Sequence, residues 1–169
     1  MTIWQNSDGL GVKFGRDEAA SQDTTKNPSG EVKAFGGVRI AEFTLDLTDL
    51  TTSGQTILWD TATFPKNARI EEVEVEVVTG ATSGGSATLD IGLVRYDRTT
   101  EIDFDGLVAA AAKATIDTAG KRLNLINGST AAGALIGTTT ANPGFAVAKA
   151  GTAVFTAGVL RVRVKWFGV

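Results

Sequence analysis

Four aspartates in the middle of the sequence have the type and spacing that come nearest to a metal site. They are Asp90, Asp97, Asp103 and Asp105. Calcium is held by several oxygen ligands that converge on one point, and carboxylates are common among them. The spacing of these aspartates matches no complete EF-hand loop. We therefore expect them to lie in ordinary turns and at a helix start, and we expect neither a metal nor another cofactor.

The side chains that most enzymes use for catalysis are missing. The chain has no histidine and no cysteine, which removes the commonest general base, the thiol nucleophile and the thiolate zinc site. Carboxylates could come from Glu72, Glu74 and Glu76, but alternate residues of one strand share a solvated face, which does not raise the pKa of an acid as a pocket does. The sequence therefore favours a protein that is not an enzyme and has no catalytic residues.

Two segments each place three like charges on one face of a predicted strand. Valines alternate with Glu72, Glu74 and Glu76 in residues 68–79, and apolar residues alternate with Arg161, Arg163 and Lys165 in residues 159–167. Opposite charges on neighbouring strands contribute about 0.2 to 1 kcal/mol per pair. We hypothesise that the two faces pair, either between strands of one sandwich or between subunits. The alternative is two separately solvated faces.

The remaining apolar pattern is mostly that of short strands. Alternation predicts strands within residues 38–48 and 87–95, and Ile70, out of phase with the valines that follow it, predicts a bulge. Residues 103–113 combine an alanine run with early carboxylates, which predicts the one helix of the chain. Further short strands are expected at residues 57–59, 123–125, 134–136, 145–147 and 154–155.

The first 36 residues differ from the rest, because residues 21–30 are polar and rich in turn formers, with no apolar period. They nevertheless contain large apolar side chains whose exposure would cost about 1.5 to 3 kcal/mol each. These are Ile3, Trp4, Leu10, Val12 and Phe14. We expect residues 1–36 to form an extended arm whose apolar residues dock on the surface of another subunit or partner. Trp59 and Trp166 are assigned to the core of the domain formed by residues 37–169.

About seven to nine short strands with glycine- and threonine-rich turns predict an all-β fold, a β-sandwich of jelly-roll type. The formal net charge is only −3, so we expect neither nucleic acid nor a membrane as a partner. The sequence has no long apolar run and begins without the features of a secretory signal. These features predict a protein made in a cytosol-like compartment.

Three stretches together resemble virion structural proteins of tailed phages, of the capsid decoration or cement type. They are WQNSDGLGVKFG at residues 4–15, the block that starts with FPKNARI and spans residues 64–93, and FTAGVLRVRV at residues 155–164. The resemblance covers roughly half of the chain and includes no active-site motif. It implies a jelly-roll-like body, commonly a homotrimer, on the outer surface of a virion assembled in the host cytoplasm. There the protein would bridge neighbouring major capsid proteins and use its arm to reach across subunits.

Two other functions stay open at this point. A tail, fibre or adhesion module could use the same sandwich to bind a receptor or carbohydrate through its loop tips. A small hydrolase or isomerase without histidine or cysteine would need a buried pocket that holds perturbed carboxylates.

Overall fold

The computed structural model describes residues 2–5, 11–14, 37–54, 56–57 and 63–168. The chain divides into two units, Met1–Ala34 and Phe35–Val169. In the first unit, strand β1 (Thr2–Gln5) pairs antiparallel with strand β2 (Gly11–Phe14). The described part of the predicted arm is therefore a pair of strands.

The second unit is built from nine strands among the described residues. They are β3 (Arg39–Asp46), β4 (Thr56–Ile57), β5 (Thr63–Phe64), β6 (Ala68–Thr82), β7 (Thr88–Arg95), β8 (Glu101–Ala112), β9 (Arg122–Leu125), β10 (Gly144–Gly151) and β11 (Ala157–Gly168). Two single-turn 3-10 helices, Leu47–Asp49 and Lys113–Thr115, follow β3 and β8. Within the described residues, no helix is long and apolar enough to cross a membrane.

The strands form two antiparallel sheets with the connectivity of a jelly roll. One sheet has the order β3-β11-β6-β9 and the other the order β4-β10-β7-β8, with β5 also paired to β10. Because β4 and β5 both lie along β10, they act as one interrupted strand. Numbering the resulting eight strands along the chain gives the orders 1-8-3-6 and 2-7-4-5, which is the arrangement of an eight-stranded jelly roll. The predicted all-β sandwich of jelly-roll type is confirmed.

The core lies between the two sheets and follows from the alternation in the sequence. Leu160, Val162 and Val164 of β11 are fully buried. Trp166 is only 6% exposed, and its ring packs edge-on against Phe64 with centroids 6.3 Å apart. The assignment of Trp166 to the core is confirmed, whereas Trp59 lies outside the described residues.

The bulge predicted from the phase of Ile70 is confirmed. Lys165 of β11 lies opposite Glu72, but the next residue, Trp166, lies opposite Ile70, so β6 has one extra residue at this point. The bulge returns Ile70 to the core face, where it is fully buried. It thus keeps the apolar and charged faces of β6 separate on both sides of this point.

The helix predicted at residues 103–113 is wrong, because this segment lies in strand β8. Helix propensity is a weak preference that tertiary packing can override. Here Leu107, Val108 and Ala111 are buried, and the small side chains of the alanine run let neighbouring segments approach closely. The amide of Ala109 donates to the carbonyl of Ala131 at 2.9 Å, a contact that depends on extended backbone.

The strands predicted at residues 123–125 and 145–147 are confirmed as parts of β9 and β10. Those predicted at residues 134–136 and 154–155 are wrong. Ile136 is buried, but the chain around it forms successive turns, with Ile136 donating to Gly133 and Thr138 donating to Leu135. A buried apolar side chain within a turn gives the same local sequence signal as a short strand.

Candidate functional site

The outer face of the four-stranded sheet carries the charged residues that the sequence singled out. Backbone register places Arg161 opposite Glu76, Arg163 opposite Glu74 and Lys165 opposite Glu72. Residues that are directly opposite on antiparallel strands point to the same face. The six charges therefore lie in two adjacent rows of opposite sign.

The side chains of these rows are within ion-pair distance. The Lys165 ammonium lies 2.7 Å from a carboxylate oxygen of Glu72. Arg163 Nη1 lies 3.4 Å from Glu74 Oε1 and 3.3 Å from Glu76 Oε2. Arg161 Nη1 also lies 3.3 Å from Glu76 Oε2. The structure thus brings together all six residues between strands of one sheet.

Two further residues extend the pairing to both edges of the sheet. Glu42 on β3 accepts from Arg163 Nε at 2.6 Å, and Arg122 on β9 donates to Glu74 at 3.2 Å and to Glu76 at 3.1 Å. The sequence pattern pointed to neither, since Glu42 is one polar residue of an ordinary alternating strand and Arg122 is the one charged residue of the short strand β9. We call the eight residues Glu42, Glu72, Glu74, Glu76, Arg122, Arg161, Arg163 and Lys165 the charge ladder.

The charge ladder alternates in sign from strand to strand: acidic on β3, basic on β11, acidic on β6 and basic on β9. Its centre is partly shielded from water, with the side chains of Glu74 and Arg163 only 15% and 24% exposed. Burial acts to raise the pKa of Glu76, but Arg122, Arg161 and Arg163 outweigh it and hold that pKa below its usual range. The hydrogen bond to Glu42 raises the pKa of Arg163. Glu76 and Arg163 therefore stay ionised at neutral pH, which suits structural pairing.

The four aspartates have separate roles. Asp97 accepts hydrogen bonds from the amides of Thr99 and Thr100 in the turn after β7. The hydrogen bonds to Thr100 and Thr99 lower the pKa of Asp97 to about 2. Asp90 accepts from the amide of Ala110 at 2.7 Å. Asp97 therefore lies in a turn, as expected, and Asp90 links two strands.

Asp103 and Asp105 lie together on β8, where the helix start was expected. Burial, and then a side-chain hydrogen bond with Asp105, raise the pKa of Asp103 to about 6. Across the part of the chain that the structure describes, no three acidic, histidine or cysteine side chains are grouped so as to hold a metal ion. The stability of the protein should therefore depend on pH through this pair.

A shallow cavity of about 410 Å³ lies between β8 and β9. Its lining is small or uncharged, with Ala109, Ala112, Leu123 and Asn124 among its residues and no titratable side chain. Acid–base chemistry at this cavity would lack both an acid and a base.

The structure describes four of the five predicted interface residues of the arm. Ile3 and Trp4 lie in β1 and Val12 and Phe14 in β2, with Trp4 opposite Val12 in the backbone register. Leu10 lies outside the described residues. Among the described residues of the second unit, the large apolar side chains that remain exposed are Val38, Ile40, Val78, Tyr96, Ile126 and Val154.

Solved structures share this fold. A chain of the cyanophage Pam1 capsid asymmetric unit is 17% identical with a TM-score of 0.54, over 86% of this chain and 95% of that chain. A chain of the Ralstonia phage GP4 capsid is 18% identical with a TM-score of 0.52, over 91% of this chain and 96% of that chain. A chain of the acidic stable capsid structure of Helicobacter pylori bacteriophage KHP30 is 14% identical with a TM-score of 0.51, over 79% of this chain and 89% of that chain.

No protein-family model matches the sequence, and no curated protein matches it. At these identities, the likeness to the solved structures establishes a common fold. The β-sandwich of this chain is therefore one that chains of phage capsids also have, as the resemblance found in the sequence implied.

Proposed function

We propose that this chain is a non-enzymatic virion structural protein that decorates and stabilises a phage capsid by bridging neighbouring major capsid proteins. The observation that carries the proposal is the jelly roll shared with chains of three phage capsid structures, over nearly the full length of those chains. Such a protein would lie on the outer surface of the virion after assembly in the host cytoplasm. Its partners would be the major capsid protein and itself, as a homotrimer.

The charge ladder supports a structural role, because its four acidic and four basic residues neutralise one another on one face. A face of this kind stiffens the sheet and leaves little net charge to attract nucleic acid. Many copies on one lattice also gain effective concentration, so each contact can be weak and the coat still stable. Clamping a shell in this way requires no catalysis.

Attachment to the capsid is assigned to the arm, residues 1–36, through Ile3, Trp4, Leu10, Val12 and Phe14. An isolated pair of strands is at best marginally stable in water. Since the arm contains such a pair, β1 and β2, it gains from burying these side chains against a neighbour. The second unit, with its own core, needs no such help to fold.

Co-sedimentation with emptied capsids that lack this protein tests the proposal. The full chain is expected to pellet with the capsids, and a chain without residues 1–15 is expected to stay folded and remain in the supernatant. A variant with Trp4→Ala and Phe14→Ala should also lose pelleting, whereas Lys13→Ala, a polar change in the same strand, should pellet normally. Circular dichroism verifies that each variant is folded. Failure of the full chain to pellet would refute the capsid role, and full pelleting of the truncated chain would refute the assignment to the arm.

A second candidate function, a tail, fibre or adhesion module, is favoured by one surface feature. The ring of Tyr96, 49% exposed, lies 4.8 Å from that of Phe145 at the end of β7. Exposed aromatic faces of this kind can stack on sugars. If the full chain does not pellet with capsids but binds glycans, and Tyr96→Ala abolishes glycan binding, this second function replaces the first.

A further inference from the structure

Both edges of the four-stranded sheet are open among the described residues. There, β3 pairs only with β11 and β9 pairs only with β6. Proteins usually blunt a sheet edge with proline, charged side chains such as lysine, a bulge or a very short strand like β9, or cover it with another segment. Strand β3 contains no proline or lysine, and its eight residues keep an unbroken register with β11. This edge is therefore well suited to accept another strand.

One edge of the second sheet, strand β8, differs from these two. The outer side of β8 is covered by the loop that follows β9, through hydrogen bonds of 2.9 Å from Ala109 to Ala131 and from Leu135 to Gly106. A large bulge also separates the pairs Ile91↔Val108 and Leu93↔Asp103. Protection of the β8 edge and exposure of the β3 and β9 edges favour a partner for the open edges.

Exposed apolar side chains concentrate at these open edges. Val38 and Ile40, at the start of β3, are 56% and 57% exposed, and Ile126, immediately after β9, is 56% exposed. They are three of the six large apolar residues that the described part of the chain leaves in water. Their burial would favour contact at both edges.

We propose that β3 of one copy of this chain pairs antiparallel with β9 of a second copy, so that the charged sheets of neighbouring copies become continuous. The inference deepens the proposed function, on which it rests, by naming the surfaces through which copies meet. Because β3 and β9 run in opposite directions within one sheet, two copies facing the same way bring antiparallel strands together. The contact is heterologous, and it generates a closed ring wherever its rotation closes.

Charge complementarity selects this partner. Within one copy the signs run acidic, basic, acidic, basic from β3 to β9, so an acidic β3 placed beside the basic β9 continues the alternation. One antiparallel register sets Glu42 opposite Arg122, Ile40 opposite Asn124 and Val38 opposite Ile126. Glu42 and Arg122 keep 52% and 56% of their side chains exposed, which leaves both able to reach a neighbour.

Pairing of β3 with the β3 of a second copy is less favourable. A two-fold axis through that edge would oppose residues of the same face, so that Glu42 meets Ile40, Glu42, Thr44 or Asp46 of the other copy, depending on the register, and in none of them a cation. The other charged group on this face is the carboxylate of Asp46, since Arg39 points to the opposite side. Like charges directly opposite on neighbouring strands are destabilising, so the basic strand is the better partner.

Disulfide cross-linking tests the contact without background, because the chain contains no cysteine. Directly opposite residues of antiparallel strands have the Cα separation that a disulfide requires. The full-length variant with Ile40→Cys and Asn124→Cys is expected to form covalent oligomers on oxidation. Each single variant should stay uncross-linked, and a mixture of the two should yield dimers only. As a matched control, Asn124→Cys combined with Ala141→Cys, an exposed loop position, should not cross-link.

Several outcomes would overturn the inference. The first is a wild-type chain that is monomeric by light scattering at the cross-linking concentration. The second is a double variant that forms no cross-link, as would happen if another segment covers β3. Efficient cross-linking of Ile40→Cys alone would replace the contact with one between two β3 strands. Capsid pelleting by a chain that fails to cross-link refutes only the edge contact. Cross-linking by a chain that fails to pellet refutes only the capsid role.

Discussion

Replacing Asp103 with asparagine is expected to stabilise the protein at neutral pH and to have little effect in acid. Asp103 and Asp105 lie two residues apart on β8, and the amide of Asp105 donates to Asp103 Oδ1 at 3.3 Å. Burial and the hydrogen bond with Asp105 raise the pKa of Asp103, and the charges of Asp105 and Glu101 add to the increase. Asparagine retains the acceptor oxygen but has no charge to repel its neighbours.

The sign and size follow from the pKa. A pKa of about 6 in the folded protein, against 3.8 for an ordinary aspartate, means that the folded state binds the proton more tightly than the unfolded state. The resulting stabilisation is fully present below about pH 3.8 and is lost as the pH rises through 6. At about 1.36 kcal/mol per pH unit, the full difference would be about 3 kcal/mol. Because the carboxyl group is only partly buried, solvent screening reduces this to roughly 1 kcal/mol.

Thermal unfolding of wild type and Asp103→Asn at pH 3.5 and pH 7.5 measures the effect. A gain of about 1 kcal/mol corresponds to about 2–4 °C in Tm for a chain of this size, and it should appear only at pH 7.5. Asp97→Asn is the matched control with the opposite sign, because hydrogen bonds hold the pKa of Asp97 at about 2. That variant should be less stable than wild type at pH 7.5, with the difference shrinking as the pH falls. An unchanged or lower Tm of Asp103→Asn at pH 7.5, or an equal gain at both pH values, would refute the assignment.

Two further changes test the packing of the sheets and the charge ladder. Gly92→Ala is expected to destabilise the protein by about 3 kcal/mol, because an added Cβ would lie 2.0 Å from the Asp103 carbonyl oxygen and 2.3 Å from the Phe104 carbonyl carbon. The control is Gly54→Ala, which has open space around it and should leave the midpoint of urea unfolding unchanged. Equal midpoints for the two variants would contradict this packing. Arg163→Met removes the cation shared by Glu42, Glu74 and Glu76 and should lower the midpoint of urea unfolding in low salt. The loss should be smaller in 1 M NaCl, where the Debye length is only about 3 Å. A loss independent of salt would show that packing of the side chain, and not its charge, stabilises the sheet.

The sequence pattern was a reliable guide where one face of a strand is buried and the other is not. Strand β11 alternates throughout and β6 does so from Glu72 to Val77, so their strand character, their core faces and the bulge beside Ile70 could all be predicted. The alternation rule fails for β8, because Leu107 and Val108 are consecutive and both buried. Five alanines or glycines in that strand carry little pattern of their own. The conformation of this strand depends instead on distant residues: Gly92 of β7 and Gly133 of the loop after β9 have no side chain, so the backbone of β8 can lie against both segments.

The charge ladder, too, could be predicted only in part, because local sequence does not specify which strands become neighbours. A row of three glutamates needs a neighbouring row of cations, so the pairing of β6 with β11 could be inferred as one of the alternatives from sign alone. Nothing in the local sequence specified that β3 and β9 would flank this pair, because one glutamate or one arginine in a strand is compatible with solvent. The jelly-roll connectivity decides it by placing the first and sixth strands of the fold at the edges. Once there, Glu42 and Arg122 leave the sheet with one acidic and one basic edge, and this asymmetry distinguishes head-to-tail contact between copies from contact between like edges.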